Sequence, residues 1–283
     1  MEGFGKKVAY FRKTKGISIK KLAEGLCDES TIYRLEQGKQ LPRLEIVNDI
    51  CLKLEIPFKA LFPFNEEVEE LKKRCREFTY AEDFISLELV LEESKQILQE
   101  LNSPYSKLEF GKFIGWHRAI LLHKKENRID EALSVLNSLV NLKKYGSELD
   151  TSIVNSIGLI YLAKKKYHEA IHIYEILYAK IINRPIIEDS TLLPRIGYNY
   201  SNSLFKIGNY EKALIVAKEV LSNIETHHLM YLLGETYHLI GVLSKKNGNL
   251  IDAEEAFNKA LLVFILTAND TNANRTKEDL KNL

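Results

Sequence analysis

Three groups of residues have the types and spacing to do chemistry. His168-Glu169-Ala170-Ile171-His172 fits H-E-x-x-H, in which two imidazoles one helical turn apart can hold zinc while the intervening glutamate serves as general base. No obvious third ligand follows it, and Ala170 and Tyr174 have a packing duty in the repeat described below, so catalysis is the weaker reading. The second group, Ser30, Tyr33 and Arg34, puts a hydroxyl, a phenol and a guanidinium on one short amphipathic segment, where such groups can reach base edges and phosphates. The third is a scatter of carboxamides and imidazoles, Asn155, Asn199, Asn202, His117 and His238, accompanied by Tyr198 and Glu235. An asparagine offers both a donor and an acceptor, which suits capture of an extended peptide whose own backbone is unpaired. The plainer alternative for this third group is a set of polar residues on a wet surface.

The second group requires two short helices and a tight turn. Ser18 can cap a helix carrying Ile19, Leu22, Ala23 and Leu26 at helical spacing, and after the break at Cys27-Asp28, Asp28 can cap a second with Ile32 and Leu35 on one face. Gly38 ends that helix. This is a helix-turn-helix pattern, whose second helix presents side chains near its N-terminus to the major groove. Its outward face is Glu29, Ser30, Tyr33, Arg34 and Gln37; Ser18 and Thr31 complete the DNA-facing set, and Lys20, Lys21, Lys39 and Arg43 are candidates for phosphate contacts. Residues 4 to 62 resemble a Cro/repressor-type DNA-binding domain, the most telling match being Arg34-Leu35-Glu36-x-Gly38 followed by Pro42 and the apolar series Ile46, Ile50, Leu54. That resemblance implies a first helix from Phe4 to Lys13, a fourth from Leu44 to Leu54 and a short fifth around Phe58 to Phe62. It also implies that Arg12 pairs with Glu36 to hold the fold. Ile19 stands where such domains often carry a DNA-touching Gln, so the base contacts do not transfer wholesale.

A chain of 283 residues with 45% hydrophobic and 28% charged content has room for two globular domains and little disorder. The net charge of +1 conceals an asymmetry: residues 1–64 hold 12 basic and 8 acidic side chains, leaving 28 against 31 for the rest. The positive end is the one that reads as DNA-binding. No apolar run of signal-peptide or membrane-spanning length occurs, so a cytoplasmic location and no membrane partner are expected. Three cysteines without a CxxC pair, Cys27, Cys51 and Cys75, indicate free thiols, with Cys27 at the turn and Cys75 beside Lys73, Arg74 and Arg76 as the places where oxidation could act. Phosphate-loop, nucleophile and credible metal-ligand motifs are lacking, so the expectation is no enzyme, no cofactor and no metal.

Asn65 can cap a linker helix with Glu66 and Glu67 in its first turn and the stripe Val68, Leu71, Cys75. Beyond it a repeat emerges. Ala132, Ala170, Ala213 and Ala253 each follow an apolar position, Trp116, Val154, Gly197 and Tyr237, by the same interval. Gly158 and Gly241 are equivalent, Gly208 and Gly248 precede second helices, and Tyr174 and Phe257 follow the alanine by one turn. These are marks of tetratricopeptide repeats, paired helices in which small residues permit close approach and large ones fill the gaps. A more degenerate unit is expected over Leu71 to Leu101. The fold expected is therefore all-α, with a helix-turn-helix domain over 1–64, a linker helix over 65–78 and a tetratricopeptide-repeat superhelix over 79–283. In each repeat the first helix lines the concave side, which places His117, Asn155, Tyr198 and His238 at one inward position and Asn202 at another, bordered by Asn199 and Glu235.

The order of a small DNA-binding domain followed by about five such repeats resembles the RRNPP family of bacterial quorum-sensing regulators. The likeness includes the turn Leu26-Cys27-Asp28-Glu29-Ser30 and the phrases Val154-Asn155-Ser156-Ile157 and Tyr198-Asn199-Tyr200. It implies a homodimeric transcription regulator acting on a palindromic double-stranded operator and controlled by a short signalling peptide in the groove of its repeats, with Asn155 and Asn199 at peptide-contacting positions. The alternative is a repeat-based interaction adaptor that its DNA domain merely tethers.

Overall fold

The computed structural model describes residues 2–40, 42, 44–56, 61, 65–102, 104–142, 146–183 and 187–283, and these contain helices and no strand. Two compact units divide the chain, Met1–Arg74 and Cys75–Leu283.

The first unit contains α1 (Glu2–Thr14), α2 (Ile19–Ala23), α3 (Glu29–Glu36), α4 (Leu44–Lys53) and the beginning of α5 (Glu66–Tyr80). Its core gathers Phe4, Val8, Leu22, Ile32, Leu35, Val47, Ile50 and Leu54. Helices α1 and α3 approach so closely at Gly5 that a Cβ there would stand 2.0 Å from the Leu35 carbonyl oxygen, so only glycine fits. The Ser18 hydroxyl accepts from Lys21 N at 3.1 Å and caps α2. At the other end of that helix the Lys53 ammonium donates to the carbonyls of Lys21, Leu22 and Glu24, the favourable placement of a cation at a helix C-terminus. Asp28 precedes α3 but its side chain makes no capping hydrogen bond, contrary to the expected cap; the carboxylate stays exposed and can favour the helix only through its charge. Gly38, at φ +69°, donates to the Leu35 carbonyl at 2.9 Å and turns the chain out of α3. Ile19 is half-buried against the core, the apolar role that takes the place of a DNA-touching Gln. The short helix expected around Phe58 to Phe62 lies outside the described residues save for buried Leu61.

Asn65 accepts from Val68 N at 3.1 Å and starts α5, and the boundary between the units falls within that helix. The second unit continues with α6 (Phe84–Glu100), α7 (Pro104–Lys124), α8 (Ile129–Leu139), α9 (Glu148–Ala163), α10 (Tyr167–Ile182), α11 (Leu192–Lys206), α12 (Tyr210–Thr226), α13 (Leu233–Lys246), α14 (Leu250–Leu266) and α15 (Asp270–Lys281). Each odd helix from α7 to α13 packs on the even helix after it, and α7, α9, α11 and α13 also touch one another in succession, forming a continuous wall of first helices. The four aligned alanines are fully buried. A Cβ at Gly158 would lie 2.6 Å from the Tyr174 ring, and one at Gly241 2.6 Å from the Phe257 ring. Glycine on the first helix and an aromatic on the second are thus the two halves of one contact. The H-E-x-x-H segment sits on α10 with Ala170 and Tyr174 in the core and His168, Glu169 and His172 exposed, and no cluster of metal-ligating side chains occurs among the described residues.

Both oxidation candidates are unsuited to thiolate chemistry. Cys75 is fully buried, and the Cys27 thiol is pushed up by burial and then by the Asp28 carboxylate.

Candidate functional site

On the first unit, α3 buries Ile32 and Leu35 and turns its other side outward. Glu29, Ser30, Tyr33, Arg34 and Gln37 are exposed, Tyr33 by 52%, while Thr31 is half-buried. Lys20, Lys21 and Lys39 are exposed near this helix in sequence, Ser18 is spent on capping α2, and Arg43 lies outside the described residues. What fixes the helix is its inner edge. Arg12 Nε and Nη2 donate to the two Glu36 carboxylate oxygens at 2.6 and 2.8 Å, and Nη1 donates to the Ile17 carbonyl at 2.8 Å. The pair is nearly buried, so Arg12 holds α3 in place and is not available to DNA.

In the second unit the first helices are cross-linked by polar side chains. Trp116 Nε1 on α7 donates to Ser156 Oγ on α9 at 2.8 Å, Asn199 Nδ2 on α11 donates to Asn155 Oδ1 on α9 at 2.9 Å, and His238 Nε2 on α13 meets Asp279 Oδ2 on α15 at 2.8 Å. Asn155 is further fixed because its backbone carbonyl accepts from the buried Tyr174 hydroxyl at 3.1 Å. The Asn155 amide and the Asn199 side-chain carbonyl carry no further hydrogen bond among the described residues. Neither belongs to the buried polar atoms that lack a partner, so both meet the surface. A donor and an acceptor therefore stand side by side on adjacent helices.

Charge on this wall is uneven. Burial lowers the His117 imidazole to about 4, against a hydrogen bond from Nδ1 to the Phe113 carbonyl and with help from the Arg76 and Arg195 guanidiniums. Its ring packs against Phe113 and Trp116 at 4.2 and 4.5 Å between centroids. Burial raises the Tyr198 phenol, followed by the Glu235 carboxylate, with Arg275 opposing. Burial also raises Tyr231, on which Arg195 acts in one direction and Tyr80, Asp189 and Glu235 in the other. Cations thus gather around His117 and Arg195, and a carboxylate stands beside Tyr198 and Tyr231.

Residues 85–280 match the family model described as the RNPP family C-terminal domain, and residues 8–61 match a helix-turn-helix model. The chain belongs to the RNPP family. Among solved structures, Bacillus thuringiensis PlcR in complex with the peptide PapR7 and DNA is similar at a TM-score of 0.69 and 20% identity, with 100% of each chain covered. The apo form of that PlcR follows at 0.64 and 18%, covering 100% of this chain and 99% of its own. ComR from S. thermophilus, in complex with DNA and its signalling peptide ComS, gives 0.56 and 15% with 98% of each chain covered. At these identities the likeness concerns the fold. No curated protein matches the chain.

In this RNPP chain the sequence-nominated groove residues are not equivalent. Asn155 and Asn199 form a pair, Tyr198 and Glu235 are half-buried electrostatic neighbours, and Asn202 is half-buried one turn beyond Asn199. His117 is the most enclosed of them: its ring is buried and neutral, and its Nδ1 is committed to the Phe113 carbonyl. His238 is engaged by Asp279 and faces the Phe257 ring. Sequence reasoning missed Arg195, Asp189, Tyr80 and Tyr231. Arg195 carried a usable signal, since it precedes Asn199 by one turn on the same helix; Tyr80 and Tyr231 meet at 5.9 Å only through the fold.

Proposed function

We propose that the chain is a homodimeric, cytoplasmic DNA-binding transcription regulator whose repeats bind a short signalling peptide and thereby control operator binding. The observation that carries this reading is the Asn155–Asn199 pair. Its free amide and free carbonyl match the C=O and N–H of one peptide unit, and the bond between them sets their spacing before any ligand arrives. Tyr198 and Asn202, on the same helix as Asn199, together with Glu235 and His238 on α13, would read side chains or termini. Exposed Tyr33 and Arg34 on a helix anchored from behind supply the DNA side. The peptide and DNA in the PlcR and ComR complexes agree with this pairing of surfaces. A twofold dimer would require half-sites about one helical turn apart.

Helix α5 offers the route between the two activities. It passes from one unit into the other, and its last residue, Tyr80, contacts Tyr231 just before α13. A peptide that favours one arrangement of Tyr231 would act on α5 through that contact, and a tenfold change in DNA affinity needs about 1.4 kcal/mol of such coupling. The test is selection of duplexes from a random pool by the full-length chain, followed by titration of the selected duplex with and without a heptapeptide chosen from a random library. A tethered adaptor would select DNA and show no response to any peptide it binds.

A further inference from the structure

Among the described residues, four buried side-chain polar atoms lack a hydrogen-bond partner: Thr79 Oγ1, Thr236 Oγ1, Ser244 Oγ and Arg195 Nε. Three are neutral hydroxyls. The fourth belongs to a cation, and leaving a charged donor buried and unpaired is the costliest of these omissions. The Arg12–Glu36 pair provides an internal reference, because there the Nε and Nη2 donors of one guanidinium edge meet both oxygens of one carboxylate. Arg195 uses only half of the same edge. Its Nη2 donates to Asp189 Oδ2 at 2.8 Å while Nε stays empty.

Asp189 is held where it is. Its Oδ1 accepts from Thr191 N at 3.0 Å and Thr191 Oγ1 at 2.6 Å, and its backbone N–H donates to Glu148 Oε2 at 3.0 Å. Turning both oxygens toward Arg195 would strip the start of α11 of those bonds, so the chain supplies one oxygen only. Charges of both signs surround this guanidinium: Arg195 and Arg76 both bear on His117, with Arg76 over the Phe113 ring at 5.3 Å, while Arg195, Asp189 and Glu235 all bear on Tyr231. Arg195 precedes Asn199 by four residues on α11, about 6 Å along the axis, which is about two residues of an extended peptide.

Resting on the peptide reading of this groove, we propose that Arg195 is its carboxylate subsite and completes its donor edge with a carboxylate of the bound peptide. That group is the C-terminal carboxylate or an Asp or Glu side chain, placed about two residues from the peptide unit held by Asn155 and Asn199. The groove would thereby select acidic or C-terminally free peptides over neutral, amidated ones.

The experiment uses two random heptapeptide libraries, one of free acids and one of C-terminal amides, each passed over the immobilised full-length chain. Selected sequences are then titrated against the wild type, Arg195→Gln, Arg195→Lys, Arg195→Glu and Asn155→Ala, with helix content checked by circular dichroism. Retention from the free-acid library alone identifies the C-terminal carboxylate, and enrichment of Asp or Glu at one position in both libraries identifies a side chain. Either outcome should come with at least about a tenfold loss in Arg195→Gln, partial retention in Arg195→Lys, and enrichment of Lys or Arg by Arg195→Glu. Peptides that depend on Asn155 but bind folded Arg195→Gln as tightly as the wild type would overturn the subsite and leave the groove reading standing. Failure of the wild type to retain any peptide would overturn both.

Discussion

The outward face of α3 and the wall of first helices are the two candidate binding surfaces, and they are built on opposite terms. On α3 the side chains meant for the ligand are exposed, and the fixing is done from behind by Arg12 and Glu36. On the wall, Asn155, Asn199, His117 and His238 are buried and bonded to neighbouring helices or to the backbone of their own. The lesson is that the outward residues of α3 can be changed with little effect on the fold, whereas a wall residue that took part in recognition would serve packing as well. A surface of the second kind can transmit ligand binding, because a ligand that engages Asn155 or Asn199 also touches the bond joining two repeats.

The strongest way to break the contrast is from behind α3. Arg12→Ala leaves the nearly buried Glu36 carboxylate without its partner and should cost about 3–5 kcal/mol, enough to unfold the first unit in a thermal circular dichroism melt. A mild effect there would mean that α3 is not held as described.

On the wall, acid is the sharper probe. His117 sits at about 4 in the folded chain against an ordinary 6.5, so the unfolded chain takes up the proton first as pH falls. The stability contributed by the neutral ring is complete above pH 6.5 and is lost as pH falls toward 4, a change of about 3 kcal/mol over that window. Urea unfolding followed by the fluorescence of Trp116, the single tryptophan, should show this slope in the wild type and a flatter one in His117→Leu.

Smaller effects separate the two surfaces residue by residue. Asn155→Ala strands the Asn199 amide and should cost about 1–2 kcal/mol of repeat stability, together with peptide affinity. Arg34→Ala and Tyr33→Ala should change stability by less than about 0.5 kcal/mol while weakening specific DNA binding by about 1–3 kcal/mol. Loss of DNA binding in these variants only through unfolding would erase the distinction.

Much of this was legible in the sequence because packing leaves periodic marks. The alanine register, the Gly158–Tyr174 and Gly241–Phe257 contacts and the inward Ile32 and Leu35 follow from spacing alone. The chemistry of individual polar groups was less legible, since it depends on who stands opposite. Asp28 has the residue type and position of a cap yet makes no such bond, and Cys75 lies among basic residues in sequence but is sealed from solvent. His117 occupies the same repeat position as Asn155 but points into an aromatic pocket. The half-filled edge of Arg195 is visible only when the donors are counted in three dimensions.

The central claim is that occupation of the wall changes DNA binding. It is tested most directly by fluorescence anisotropy of the selected duplex with the full-length chain, at zero and saturating concentrations of a library-selected heptapeptide, in the wild type and in Asn155→Ala. A shift in Kd of about tenfold or more in the wild type, absent from folded Asn155→Ala at the same peptide concentration, is the predicted result. Equal Kd values with and without a peptide that calorimetry shows to be bound would contradict it.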